Sequence, residues 1–298
     1  MELNSLGCVS AHPAIAQSRQ KMLIQIGFDI AIWCSQETPF VLKLLIEQAR
    51  MSDLRTDERI DIYPFRHVVT AIDEFSNRTL KGSMRPGDTR LHLRACVHDS
   101  GLPDPASPYA RQLPVEQLPH DVLRYMKPSR YCESDILSAF AWSRFGSITS
   151  GWGRVQAICD YVHNHLTFDY VKASVFRTAA GAHVERVGVC RDFTHLAVAL
   201  CRAVNIPARY CNGYLGDIGI PSNPSPMDFN AWFEVYLDGV WFTFDARHNQ
   251  PRIGRIVICR GLDAGDCAMV QTFGQHTLKS FTVITNEVAS LAQPTLAA

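Results

Sequence analysis

The sequence has no apolar run near the roughly 18–20 residues that a membrane-crossing helix needs. It also has no excess of charge of either sign, with 29 Lys and Arg against 29 Asp and Glu in 298 residues. A concentrated basic face is what holds nucleic acid, and no Lys/Arg block occurs, so nucleic acid is excluded as a partner and membrane insertion is not expected. Neither C-x-x-C nor H-E-x-x-H is present, so no metal site is expected and no cofactor is implied. Phosphate-cradling glycine loops and the G-x-S-x-G elbow are missing too. The first twenty residues lack the apolar stretch of a secretory signal, which makes the cytoplasm the expected compartment.

What is present is an ordinary globular composition, 47% hydrophobic and 19% charged. At roughly 100–200 residues per domain the chain should hold about two. Ten cysteines are scattered without paired spacing; in the cytoplasm most should be reduced thiols packed as small apolar residues.

Residues 1–20 show no periodicity and read as an irregular arm. Met22 to Cys34 (MLIQIGFDIAIWC) suits a strand. Phe40 to Ile46 fits a strand or a short helix equally. Short β-like runs follow in IDIYPF, HVVTAID and RLHLRACV, separated by turn signals, so 21–110 reads as a small antiparallel β domain. The Pro- and Ser-rich stretch 100–114 marks the boundary. Beyond it, VEQLPHDVLRYM, SDILSAFAWSRF and WGRVQAICDYVHNHL carry apolar residues at helical spacing, and Phe193 to Val204 is a stronger fourth helix. Then come ARYCNGYL and a hairpin, NAWFEVYL and VWFTFDA, joined by Asp238-Gly239. Later runs, RIGRIVICRG and SFTVITNEV, read as further strands. The fold class is therefore α+β: an N-terminal antiparallel β domain, then an α+β unit over 111–298.

Cys190, in GVCRDF, stands at the head of the strongest helix. Free backbone N–H groups and the positive end of the helix dipole favour a thiolate there, so its pKa should lie below about 8.5. The alternative is a small core residue that happens to start a helix. A thiol nucleophile needs a base and the base an orienting group. In the hairpin register Leu237 faces Val240, Trp232 faces Asp245 and Asn230 faces Arg247. Asn230 and Asp245 then share one face. Asp245 ends an apolar strand, as a cap or as a functional acid. His195 lies on the cysteine helix but diverges from Cys190, and suits a hydrogen-bonding role beneath the site. His163 and His165 match no ligand spacing.

GVCRDFTHLAVALCRAVNIPARY, followed by NAWFEVYLDGVWFTFDA, resembles the transglutaminase-like superfamily of papain-type cysteine enzymes. AIDEFSNR resembles the turn of the β-rich N-terminal module of bacterial members, with Ser76 where a glycine is usual. The resemblance implies a helix headed by the catalytic cysteine, packed on an antiparallel sheet that carries a histidine and an aspartate. It makes Cys190 the nucleophile, Asp245 the orienting acid, and a peptide or amide the substrate. Hydrolysis is favoured over acyl transfer. The family histidine is replaced by Asn230, whose amide cannot take a proton near neutral pH. His248, three residues after Asp245 and at the same end of the hairpin, is the possible substitute base; otherwise it is a loop residue with a structural hydrogen bond. Trp232, opposite Asp245, could wall the substrate site. The rival expectation is a catalytically silent binding module that keeps the fold and groove.

Overall fold

The computed structural model describes residues 22–289; the arm expected at 1–20, with Cys8, lies outside them. Strands β1 (Met22–Cys34), β2 (Thr38–Leu42), β3 (Asp61–Tyr63), β4 (Val69–Ile72), β5 (Arg78–Met84) and β6 (Gly87–Asp99) come first. Helices α1 (Ser138–Phe145) and α2 (Gly151–His165) lead to β7 (Thr167–Phe168), α3 (Ala179–Glu185), β8 (Val187–Gly188) and α4 (Cys190–Ala203). The chain continues through β9 (Ala208–Tyr214), β10 (Asn230–Leu237), β11 (Val240–Phe244), β12 (Ile256–Gly261), β13 (Val270–Thr272) and β14 (His276–Val288).

Three four-stranded sheets organise these elements, in the orders β14-β1-β6-β3, β13-β2-β5-β4 and β11-β10-β9-β12. Alternation in β1 sends Ile24, Ile26, Phe28, Ile30 and Ile32 into one core with Phe40, Leu42, Leu91 and Leu93, as a half-buried strand with period two should. The mixed α+β architecture is the expected one. The C-terminal strands are not where the sequence put them. β14 pairs along β1 and β13 with β2, so part of the 111–298 stretch completes the sheets of the N-terminal unit. A strand's own pattern shows that it will pair, but not with which partner.

The third sheet carries the site. Its hairpin has the register expected, Leu237 opposite Val240 through Phe233 opposite Phe244. Asp238 and Gly239 both take positive φ, 45° and 86°, as a two-residue primed turn requires. Phe233, Val235, Leu237 and Phe244 pack with Phe193, Leu196 and Leu200 of α4. Truncating such a buried Phe or Leu to Ala costs about 2–5 kcal/mol. Almost all of α4 is buried, because α1, α2 and α3 enclose its remaining faces.

Two local expectations fail or shift for physical reasons. The helix expected over VEQLPHDVLRYM is two short 3₁₀ turns, Val115–Gln117 and Leu123–Met126. Pro119 in its middle removes a donor and clashes with the preceding turn. Leu118 and Val122 still bury against Tyr236, so the apolar spacing served packing without a helix. Ser76 sits at φ 67°, the left-handed region where glycine is usual. The turn holds because Asp73 accepts from the Phe75 and Asn77 N–H groups. Asn77 in turn exchanges two 2.8 Å bonds with the Arg260 backbone, tying the turn to β12.

Candidate active site

α4 begins at Cys190 because the preceding residues hold its first turn. Asp192 accepts from the Val189 N–H at 2.9 Å and from Arg177 at 3.2 Å. This satisfies an otherwise free donor of the first turn. Gly188 is required beside it: a Cβ there would lie 2.5 Å from the Asp192 Cβ. Both members of the Arg177–Asp192 pair are buried, which fixes the helix start against rotation.

Cys190 is partly buried and packs on the core that contains Tyr210, Phe229 and Ala231. Burial pushes its thiol up from the ordinary value; the Arg247 guanidinium opposes this, the Asp228 carboxylate reinforces it, and the Ala231 and Arg191 N–H groups pull it down. The net direction is upward, so the depressed pKa expected from the helix N-terminus is corrected. The dipole is present, but desolvation of the thiolate outweighs it. Cys190 therefore rests as a neutral thiol.

Asp245 and His248 are brought together. The His248 Nδ1–H donates to Asp245 Oδ2 at 2.8 Å. Asp245 Oδ1 accepts from the Arg247 and His248 backbone N–H groups, both at 3.0 Å. The Arg255 guanidinium donates to Oδ2 at 2.9 Å. Burial alone would raise the Asp245 carboxyl, but Arg255 and His248 overcome it and hold it far below the usual carboxylate range. Asp245 is therefore a fixed anion that orients His248 through Nδ1 and leaves Nε2 for a proton. Helix α2 steadies this loop. The His163 Nδ1–H donates to the Arg247 carbonyl at 2.9 Å, and the Asn249 side chain is held by Gln156 and Asp160. His163 thus has a place at the site although its sequence spacing offered no ligand pattern.

Asn230 is brought not to Asp245 but to Arg247, whose guanidinium donates to its Oδ1 at 2.9 Å. Its Nδ2 donates to the Asp228 and Leu215 carbonyls. Arg247 also lies 3.9 Å from the Phe168 ring centroid. An open cleft of about 390 Å³ is lined by Tyr170, Asp228, Asn230, Arg247, His248 and Arg252, among others. Cys190 lies in the field of two of these, Arg247 and Asp228. Among the described residues no hydrogen bond links its thiol to an imidazole.

Trp232 does not wall this cleft. It is 1% exposed, packed with Cys211 and Val257, and the Arg255 guanidinium lies 5.0 Å from its ring centroid. It supports Arg255, which holds Asp245. His195 is buried beneath the site as expected, stacked on Tyr131 and accepting from the Ala264 N–H at 3.1 Å. Burial pushes its imidazole down to about 3, so it stays neutral. Among the described residues no group of three His, Cys, Asp or Glu could hold a metal ion, and no helix is long and apolar enough to cross a membrane.

The family model of the transglutaminase-like superfamily matches residues 143–246, from α1 to the end of the hairpin. The chain carries a transglutaminase-like domain. A candidate cysteine protease from Cytophaga hutchinsonii is 28% identical, with a TM-score of 0.78 over 92% of this chain and 93% of that one. The periplasmic domain of TgpA from Pseudomonas aeruginosa is 12% identical, with a TM-score of 0.38 over 78% of this chain and 89% of that one. No curated protein matches the chain. The transglutaminase-like match includes Cys190, Asn230 and Asp245 and stops before Arg247 and His248.

The arginines of the site were missed from sequence. Their signal was available in DARHNQPRIGR, where Arg247, Arg252 and Arg255 follow the aspartate within one short segment.

Proposed function

We propose that the chain is a thiol-dependent hydrolase of peptide or amide bonds, with Cys190 as nucleophile and His248 as the base oriented by Asp245. The observation that carries this reading is the 2.8 Å bond from His248 Nδ1 to Asp245 Oδ2. It supplies the imidazole–carboxylate pair that Asn230 cannot. The 28%-identical neighbour described as a candidate cysteine protease supports hydrolysis over acyl transfer. Nine unpaired thiols among the described residues support a reducing compartment, the cytoplasm.

In this mechanism the Cys190 proton passes to His248 Nε2 as sulfur bonds to the substrate carbonyl carbon. The resulting oxyanion is met by the backbone N–H groups at the start of α4. The tetrahedral species collapses to a thioester as the imidazolium returns its proton to the departing amine. Water, deprotonated by His248, then attacks the thioester and releases the acid, with the proton returned to the thiol. Asp245 stays ionised throughout and stabilises the imidazolium.

One observation favours a second reading, a binding module that has lost catalysis: Asn230 is occupied by Arg247 at the family's histidine position. Steady-state hydrolysis of a small peptide amide or activated ester separates the two. Cys190→Ala should abolish turnover and His248→Ala should lower kcat about 10²–10⁴-fold. Activity unchanged in both variants would leave the binding module.

A further inference from the structure

Arg252 is 3% exposed yet lines the open cleft, and its Nε has no hydrogen-bond partner. Its Nη2 donates to the Gly216 carbonyl at 2.8 Å. Asp217 Oδ1 lies 3.7 Å from Nη2, an ion pair too long to be a hydrogen bond. Arg247 lines the same cleft and is held by a neutral amide and an aromatic face. Among the described residues no carboxylate hydrogen-bonds either guanidinium.

The carboxylates of the cleft make their hydrogen bonds elsewhere. Asp169 Oδ1 accepts from the Val171 N–H and Asp217 Oδ2 from the Asn223 N–H. Asp228 is the third; its carboxyl, raised by burial against the Phe229 N–H and Arg247, makes no hydrogen bond to either guanidinium among the described residues. His248 is turned to Asp245. Two guanidiniums therefore share one cleft in which Arg252 has only the 3.7 Å ion pair with Asp217 and its buried Nε has no acceptor among the described residues. Burying a guanidinium N–H without an acceptor is costly, and a planar fork matches a carboxylate in two bonds at once.

We propose that Arg247 and Arg252 form a carboxylate-binding subsite, so that the cleft selects a peptide bearing an acidic side chain or a free C-terminal carboxylate. The inference deepens the hydrolase reading by naming its substrate class, but the subsite exists whether or not the bond is cut. Asn230 fits the same design, since its Oδ1 holds Arg247 in place without neutralising it, as a carboxylate there would.

Calorimetric titration of the Cys190→Ala protein tests this without turnover. Four probes are used: N-acetyl-Gly-Glu-Gly-amide, its Gln analogue, its Lys analogue, and N-acetyl-Gly-Gln-Gly with a free C-terminus. At least one carboxylate-bearing probe should bind about tenfold more tightly than the Gln amide. Which of the two gains affinity shows whether a side chain or a C-terminus is read. Arg247→Met should reduce that preference to near unity, and Arg247→Lys, which keeps the charge but not the fork, should retain only part of it. Tighter binding of the Lys peptide, equal affinities, or a preference unaltered in both Arg247 variants would overturn the subsite. Absence of hydrolysis by the wild-type protein would sink the hydrolase reading alone.

Discussion

Arg247 donates to the side-chain oxygen of Asn230 at 2.9 Å, so the position where the family has a histidine is a working contact and not a vacancy. A histidine at 230 would lose the amide oxygen that holds Arg247. It would also find Asp245 already filled by His248 and Arg255. Asn230→His should therefore leave kcat within about threefold or lower it, well short of the 10²–10⁴-fold gain that a newly supplied base would bring. A gain of that size would show that His248 does not serve as the base.

The thiol gives a pH-dependent test. Because burial raises the Cys190 pKa, the iodoacetamide labelling rate at this residue should still be climbing above pH 8.5, the ordinary thiol value. Peptide mass mapping across pH 7–10 measures it. Arg247→Met removes the cation that opposes the shift and should move the midpoint further up. A plateau reached by pH 8 would restore the helix dipole as the dominant influence.

His195 sets an acid limit on stability. Its imidazole titrates near 6.5 when unfolded and is pushed down to about 3 when folded. The folded pKa is depressed, so the stabilisation is fully present above about pH 6.5 and is lost progressively as pH falls towards 3. At pH 5 the loss relative to pH 7 should be about 2 kcal/mol from this group. Urea unfolding of wild type and His195→Gln at both pH values should show that component only in wild type. An identical pH response in the two would contradict a neutral buried histidine.

Arg255 and Trp232 should act through Asp245. Arg255→Met strips Asp245 and Asp104 of a shared buried cation and should cost about 3–5 kcal/mol. Trp232→Leu should lower stability and kcat without a selective rise in KM, because Trp232 contributes no surface to the cleft. Thermal unfolding beside Michaelis kinetics measures both. A KM effect alone would return Trp232 to the substrate wall.

Local pattern carried some of this site from the sequence. The Asp238-Gly239 turn located the hairpin and its register from Leu237 opposite Val240 to Phe233 opposite Phe244. Apolar spacing and the Gly188–Asp192 start located α4 and set Cys190 at its head. What stayed hidden depends on partners distant in sequence. Burial of Cys190 against the core that contains Tyr210, Phe229 and Ala231 reverses the pKa direction that the helix end alone predicts. Trp232 was expected to wall the cleft, but Arg255, which covers it, enters from beyond the hairpin. β13 and β14 show strand character but not the far N-terminal strands they join. Pro119 was visible and outweighed the apolar spacing around it.

The central claim is that the Cys190 sulfur carries the acyl group. Rapid-quench mass spectrometry during turnover of an activated ester tests it most directly. The account predicts a transient mass increase equal to the acyl group, mapped to the peptide containing Cys190, longer lived in His248→Ala once formed and absent in Cys190→Ala. Hydrolysis that proceeds with no adduct on Cys190, at an equal rate in Cys190→Ala, would contradict it.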